Sequence, residues 1–258
     1  MSYLVSIITP SYNSVDFIQS TIHSIQNQSL DNWELIIVDD CSKDNSCKLI
    51  QEYVNSDTRI KLIRLTENSG AAVARNKGIE NASGRFIAFL DSDDTWHPEK
   101  LEKQINFMLK NDYDFTFTHY HQVDENGKKI GDLSFPIKVN YYDLLKTCVI
   151  GCLTAMYDTK KIGKVYFPLI RKRQDFALWL KILKQVDYAY CLPEDLASYT
   201  VRSDSISANK WKAAQFNWKL YREIEKLNLI SSIYYFSHYA LRGILRTKFK
   251  KIAKLLNI

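Results

Sequence analysis

Four short apolar, β-branched runs recur in the first ninety residues, and each ends abruptly in polar residues. YLVSIIT (3–9) stops at Pro10, WELIIV (33–38) at Asp39-Asp40, IKLIRL (60–65) shortly before ENSG, and RFIAFL (85–90) at DSDD. Between the first two runs, Ile18, Ile22 and Ile25 fall at i, i+4 and i+7, on one face of a helix. Further helices are expected around 46–54 and 71–81. Strands this continuously apolar, alternating with helices, must be covered on both faces, which predicts a doubly wound, mainly parallel α/β sheet. In such a sheet ligands bind beyond the carboxyl ends of the strands, and TPSYN, DDCSKDNS, ENSG and DSDD all lie at that edge.

After a helix over 98–110 the pattern changes. DFTFTHYHQV (114–123) alternates as a strand, Asn126-Gly127 supplies a hairpin turn, and CVIGCLTAMY (148–157) reads as another strand. DFALWLKILKQV (175–186) reads as an amphipathic helix with Asp175 in its first turn, and a short strand follows near 188–191. The expected organisation is a mainly parallel half (1–97) merged with a smaller mixed half (98–208), then a C-terminal helical extension (209–258). A chain of 258 residues is long enough for this arrangement.

Composition narrows the function classes. Five cysteines, with no CxxC pair and no secretory leader pattern, suit a reducing, cytoplasmic setting. No uninterrupted apolar run reaches the ~18 residues of a membrane span. The net charge of +6 is concentrated in residues 210–258, which carry 11 Lys and Arg against two Glu. No nucleic-acid-binding motif accompanies that charge, so nucleic acid is not an expected partner. GxGxxG and GxxxxGK[ST] are absent, which disfavours a dinucleotide dehydrogenase and a P-loop enzyme. A GGxGxR-like loop is also missing, which disfavours a sugar nucleotidyltransferase.

Asp91, Asp93 and Asp94 place three carboxylates within four positions at a strand end, where their mutual repulsion calls for a cation. Hard oxygen ligands suit Mg2+ or Mn2+, which keep coordination positions for substrate phosphates. The competing reading makes Asp93 or Asp94 the cap of the helix beginning near Pro98. Asp39-Asp40 could accept hydrogen bonds from a nucleobase or a ribose, or could simply shape the turn before a helix capped by Ser42 or Asp44. Taken together, the two pairs point to a nucleotide carrying a diphosphate.

TPSYN (9–13), VDDCSKDNS (38–46), NSGAAVARNKGI (68–79), FLDSDD (89–94) and RQDFALWLKIL (173–183) resemble, in order and spacing, the motifs of the inverting family 2 glycosyltransferases of GT-A fold. The resemblance covers about residues 3–205. It implies that Pro10 and Tyr12 line the nucleobase pocket, that Asp40 bonds the base and Asp39 the ribose or supporting backbone, and that Arg75 approaches the base or diphosphate. Asp91, Ser92 and Asp93 would form the DxD segment, with Asp91, Asp93 and Asp94 at the metal. Asp175 would be the general base that takes the acceptor proton. The family's ED pair reads Gln174-Asp175 here, which leaves the first position's role open. Arg202 stands where a His often occurs and would pair with phosphate oxygens. The processive QxxRW signature is missing, so one sugar per binding event is expected. The implied donor is a UDP-hexose or UDP-N-acetylhexosamine, and the implied acceptor is a lipid-linked glycan of a surface polysaccharide. A nucleotide-sugar-binding protein of the same fold without turnover is the alternative.

His119 and His121 fall on one face of a strand, as a metal pair could, but no third ligand is evident, so they are read as polar residues near the acceptor cleft. Cys148 and Cys152 are read as packed thiols. Trp96 could stack on a sugar or cover a core edge. The tail combines Tyr, Phe, Leu and Ile with Arg242, Arg246, Lys248, Lys250, Lys251 and Lys254, a pattern for helices lying on the inner, anionic face of the cytoplasmic membrane. It also fits a helical cap packed on the catalytic domain.

Overall fold

The computed structural model describes residues 4–133, 135–201 and 210–248. The first half alternates strand and helix: β1 (Val5–Ser11), α1 (Ile18–Gln26), β2 (Trp33–Asp39), α2 (Ser46–Ser56), β3 (Ile60–Arg64), α3 (Ala71–Asn81) and β4 (Phe86–Phe89). β1 pairs in parallel with β2 and β4, and β2 in parallel with β3. Alternation along the strands divides the core into two layers. Val5, Ile7, Leu35 and Ile37 pack with Ile18, Ile22 and Ile25 of α1 on one face. Ile8, Ile36 and Val38 pack with Ala72, Ala74 and Ile79 of α3 on the other. α3 seats closely on β1 because Gly78 has no side chain: a Cβ there would lie 2.5 Å from Ile8 Cγ2.

The second half comprises β5 (Thr95–Trp96), α4 (Lys100–Asn111), β6 (Phe115–Val123), β7 (Lys129–Leu133), β8 (Lys138–Val139), α5 (Tyr141–Lys146), β9 (Met156–Asp158), α6 (Thr159–Ile162), α7 (Gln174–Ile182) and β10 (Ala189–Thr200). These strands continue the same sheet in the order β3-β2-β1-β4-β9-β6-β10-β5, with β7 on β6 and β8 on β10. The pairing turns mixed from β9 onward. The expected α/β architecture is therefore present, built as one ten-stranded sheet.

Two expectations need correction. Residues 148–157 are mostly not a strand: Cys152–Thr154 form a 3-10 turn and only Met156–Asp158 pair. The carbonyls of Leu153 and Thr154 accept from the side chains of Trp96 (2.7 Å) and Gln104 (2.9 Å), so they are withdrawn from any ladder. The strand expected at 188–191 runs on through Pro193 to Thr200, and register shifts between Leu192 and Asp195 and between Asp195 and Ser198 absorb the interruption.

α8 (Lys210–Lys219) and α9 (Leu229–Lys248) flank a π-helical turn at Leu220–Ile224. They are anchored to the sheet domain: buried Glu225 meets Lys184 (2.6 Å) and Tyr141 Oη (2.5 Å), and Tyr221 Oη donates to the Leu145 carbonyl (2.6 Å). Tyr235 and Phe236 of α9 pack on the core, while Leu229, Ile230, Ile233, Tyr234 and Leu241 remain exposed. No described helix is long and apolar enough to cross a membrane.

Trp96 belongs to the core, at 4% exposure, and Lys100 Nζ lies 3.6 Å from its ring centroid. That ammonium is fully buried without a hydrogen-bond partner, and burial pushes its pKa well below the usual lysine value. Lys100→Met should stabilise the fold at neutral pH by about 1–3 kcal/mol, the cost of an unsatisfied buried polar group. Below the ordinary lysine pKa the unfolded chain binds a proton that the folded chain resists, so wild-type stability should rise with pH toward that value and the variant's advantage should shrink. Urea unfolding at pH 7 and 9.5 measures both effects. A variant less stable than wild type at pH 7 would show that the cation–π contact outweighs burial.

Candidate active site at the strand ends

The polar clusters converge at the carboxyl edge of β2, β1 and β4, where two strand spacings separate Asp39-Asp40 from the DSDD turn by about 10 Å. On the β2 side the loops are knitted by carboxylate-to-backbone bonds. Asp39 accepts from Ser42 N (2.9 Å) and Ser42 Oγ (2.5 Å), and Asp40 accepts from Ser69 N (2.7 Å) and Gly70 N (2.8 Å). Gly70 holds φ +92°, a conformation open to glycine at no steric cost, and so delivers its N–H to Asp40 at the start of α3. Asp40 thus binds the loop before α3. Pro10 is buried at the end of β1, and Tyr12 is exposed beside it.

On the β4 side a chain of contacts crosses the site. Arg75 of α3 donates to Asp91 (2.5 Å) and to Gln174 Oε1 (3.1 Å), while Gln174 Nε2 donates to the Ile170 carbonyl (2.6 Å). Burial opposes the Arg75 charge, but Asp91 and, further off, Asp175 outweigh it and hold its pKa above the ordinary value. Gln174 therefore positions its neighbours: as a neutral amide it accepts from Arg75 without adding charge beside Asp91. The adjacent Asp175 lies in the first turn of α7. That turn begins at Arg173, which is in the left-handed region (φ 62°) and donates to Tyr239 Oη of α9 (2.8 Å).

Asp94 is 2% exposed and accepts from Thr200 N (2.9 Å), and Thr200 Oγ1 donates to the Asp93 carbonyl (2.5 Å). The end of β10 therefore clasps the DSDD turn, a role that β10's early apparent end hides from sequence reading. Burial, then the charges of Asp93 and Asp91, raise the Asp94 pKa well above the carboxylate range. A cation would relieve that repulsion, so the donor set fits Mg2+ or Mn2+ chemically. Among the described residues the three carboxylates do not close to a cage of ligand atoms within 4.8 Å. They fit an ion held by one or two carboxylates and completed by phosphate oxygens.

Cys152 and Tyr120 are not expected here from the sequence, yet both feel Asp94 and Asp175. Burial pushes the Cys152 thiol well up, so it stays protonated and inert, in keeping with a packed cysteine. His119 and His121 diverge: His119 Nε2 accepts from Phe135 N (3.2 Å), whereas His121 turns to Asp195 and Ser198. Ser92 lies in the turn between Asp91 and Asp93; Arg202 lies outside the described residues.

The Glycosyl transferase family 2 model matches residues 6–162, which is more than half of the chain. The chain belongs to glycosyltransferase family 2. Among its family 2 relatives, TuaG of Bacillus subtilis (strain 168), whose name assigns it to teichuronic acid biosynthesis, is 49% identical, with 92% of this chain and 94% of that one covered. WfgD of Escherichia coli, named a UDP-Glc:alpha-D-GlcNAc-diphosphoundecaprenol beta-1,3-glucosyltransferase, is 42% identical over 96% of each chain. Among solved structures, S. aureus TarS 1-349 in complex with UDP-GlcNAc superposes with a TM-score of 0.72 at 22% identity, covering 98% of this chain and 75% of that one. The mannosyltransferase PcManGT from Pyrobaculum calidifontis, in complex with GDP-Man and Mn2+, does so at 0.67 and 17% identity, covering 99% and 79%. The GT-A fold expected from the motifs is the fold observed, and this family 2 enzyme is a glycosyltransferase.

Proposed function

We propose that this glycosyltransferase moves one sugar from a UDP-hexose or UDP-N-acetylhexosamine, UDP-Glc being the first candidate, to a hydroxyl of a lipid-linked glycan in surface-polysaccharide synthesis. The transfer inverts the anomeric centre. The observation that carries the reading is the Asp91–Arg75–Gln174 chain. It ties the turn that would hold the departing diphosphate to the helix start that carries Asp175. The names of WfgD and of WfaP, a second Escherichia coli relative (39% identical over 81% of this chain and 82% of that one), join UDP-Glc to a diphosphoundecaprenol-linked GlcNAc with a β-1,3 product, and they support the donor and acceptor classes.

In this reading Pro10, Tyr12, Asp39 and Asp40 receive the nucleoside, Asp91, Ser92 and Asp93 face the ribose and diphosphate, and Arg202 would pair with phosphate oxygens. Asp91, Asp93 and Asp94 would hold Mg2+ or Mn2+, which offsets the charge of the departing UDP when bound. The acceptor oxygen attacks the anomeric carbon opposite UDP, so one C–O bond forms as the other breaks. Asp175 takes the acceptor proton and the diphosphate keeps the electron pair. The exposed apolar row of α9, beside Arg242, would rest on an anionic leaflet at the cytoplasmic face, where each nearby basic residue adds about 1 kcal/mol.

UDP release from a panel of UDP-sugars tests this, with a GlcNAc-diphospholipid acceptor carried in phosphatidylglycerol or in pure phosphatidylcholine vesicles. Acceptor-dependent, EDTA-sensitive release is expected, faster and more salt-sensitive on the anionic vesicles. Absence of acceptor-dependent release with every donor would overturn the donor and acceptor assignment, and equal rates on both vesicles would overturn the membrane assignment.

A further inference from the structure

Away from the DSDD turn, the chain assembles a second donor set that the transfer reaction does not use. His97 immediately follows β5, His121 lies on β6 and Asp195 lies on β10, and one ligand atom from each falls within 4.8 Å of the others. We propose that His97, His121 and Asp195 form a transition-metal site of the Zn2+ class that braces β5, β6 and β10, separate from the Mg2+ or Mn2+ site of the reaction.

The donor chemistry selects the ion. Two imidazoles and one carboxylate suit Zn2+ and its neighbours, whereas Mg2+ prefers all-oxygen sets. Three protein ligands leave the fourth tetrahedral position to water. Room for that water exists: an open cavity of about 650 Å³ is lined by His97, Glu99, Lys103, Glu194, Asp195 and Leu196. Glu99 and Glu194 are both engaged by Lys103 (2.7 and 2.9 Å), which leaves Asp195 as the carboxylate facing the imidazoles.

The surroundings orient the ligands as a metal site requires. His121 Nδ1 faces Asp195 at 2.9 Å, and its Nε2 lies 3.1 Å from Ser198 Oγ. With Nδ1 on the metal, Nε2–H donates to Ser198, the outer hydrogen bond that fixes a ligating histidine's tautomer. His97 is held from its backbone, its N–H donating to the Leu196 carbonyl (3.0 Å) and its carbonyl accepting from Gln28 Nε2 (2.8 Å). Its ring lies 5.4 Å from that of His121, tilted by 47°, and among the described residues its nitrogens make no hydrogen bond. Without metal, His121 Nδ1 and the Lys129 ammonium, 3.6 Å from Asp195, satisfy the carboxylate. Metal binding at His121 Nδ1 would replace its hydrogen bond to Asp195 and draw in the His97 ring.

The consequence reaches the active site through β10. Ser198, which orients His121, is two residues before Thr200, which clasps Asp93 and Asp94. An ion at this site would fix the strand that positions the diphosphate-facing turn.

The test uses the full chain, freed of metal and titrated with Co2+ in the absence of nucleotide. One equivalent should bind with the strong visible bands of four-coordinate Co2+, Zn2+ should bleach them, and Zn2+ should raise the melting temperature. His97→Ala should weaken Co2+ binding by at least about 100-fold and Ser198→Ala by about 10-fold, while Asp93→Asn leaves it unchanged. Because the His97 ring makes no hydrogen bond among the described residues, the metal-free His97→Ala protein should melt as wild type does, so lost binding is not lost folding. Absence of the bands, or bands that persist in His97→Ala, would overturn the site.

Discussion

Replacing Asp175 with asparagine should lower kcat for sugar transfer by about 10²–10⁴-fold, the contribution a positioned general base makes. Asparagine keeps the size and the place of Asp175 in the first turn of α7 but cannot take the acceptor proton. The nucleotide side of the site is untouched, because Gln174, not Asp175, receives the Arg75 hydrogen bond. UDP affinity, read by calorimetry, should therefore stay within about threefold of wild type, as a near-zero change in binding energy requires. Single-turnover transfer separates the chemical step from product release. A loss under about tenfold would move the base to another residue.

Replacing Arg75 with methionine should cost both stability and activity. Methionine fills the apolar space beside Phe167 but leaves Asp91 next to Asp93 and Asp94 without its cation. Breaking a buried ion pair costs about 3–5 kcal/mol. The lower end applies here because the Asp91 side chain retains 31% exposure, whereas that of Arg75 retains 10%. Adding Asp91→Asn should restore most of the stability without restoring transfer. Arg75→Lys should recover part of the stability and little of the activity, since an ammonium does not reproduce the fork that reaches Asp91 and Gln174 together. Urea unfolding paired with turnover assays measures both effects. If the double variant is no more stable than Arg75→Met, the loss comes from packing and not from stranded charge.

The elements legible in the sequence are those whose stability is local in pattern. β1 to β4 announce themselves as apolar runs, and the span expected for α3, 71–81, is the span observed. β10 reads short because Pro-Glu-Asp at 193–195 looks like an end. The strand survives it by bulging against β6, a solution that depends on a partner distant in sequence. Residues 148–157 have strand composition, but their carbonyls go to Trp96 and Gln104, about fifty positions away.

The same distinction holds at the site. The aspartates are visible because charge at a strand end is a local anomaly. Gln174 reads as a lost glutamate, and its bond to Arg75 spans 99 positions. Thr200 reaches Asp94 over 106 positions, and neither pairing leaves a periodic trace. His121 stands out beside His119, the neighbour that strand alternation supplies, whereas its closer companion His97 comes from the far side of β10.

The missing side chain at Gly78 has an effect beyond the core. Gly78 and Arg75 sit one turn apart on α3, and Gly78 rests against Ile8 with no room for even a methyl group. That contact sets how far the helix axis stands from the sheet, and hence how far the Arg75 guanidinium extends past the strand ends. An outward step of about 1 Å, of the order that a forced Cβ demands, exceeds the tolerance of a charged hydrogen bond. The apolar gap between α3 and β1 thus works as a gauge for the active site: it fixes a distance between charges using carbon alone.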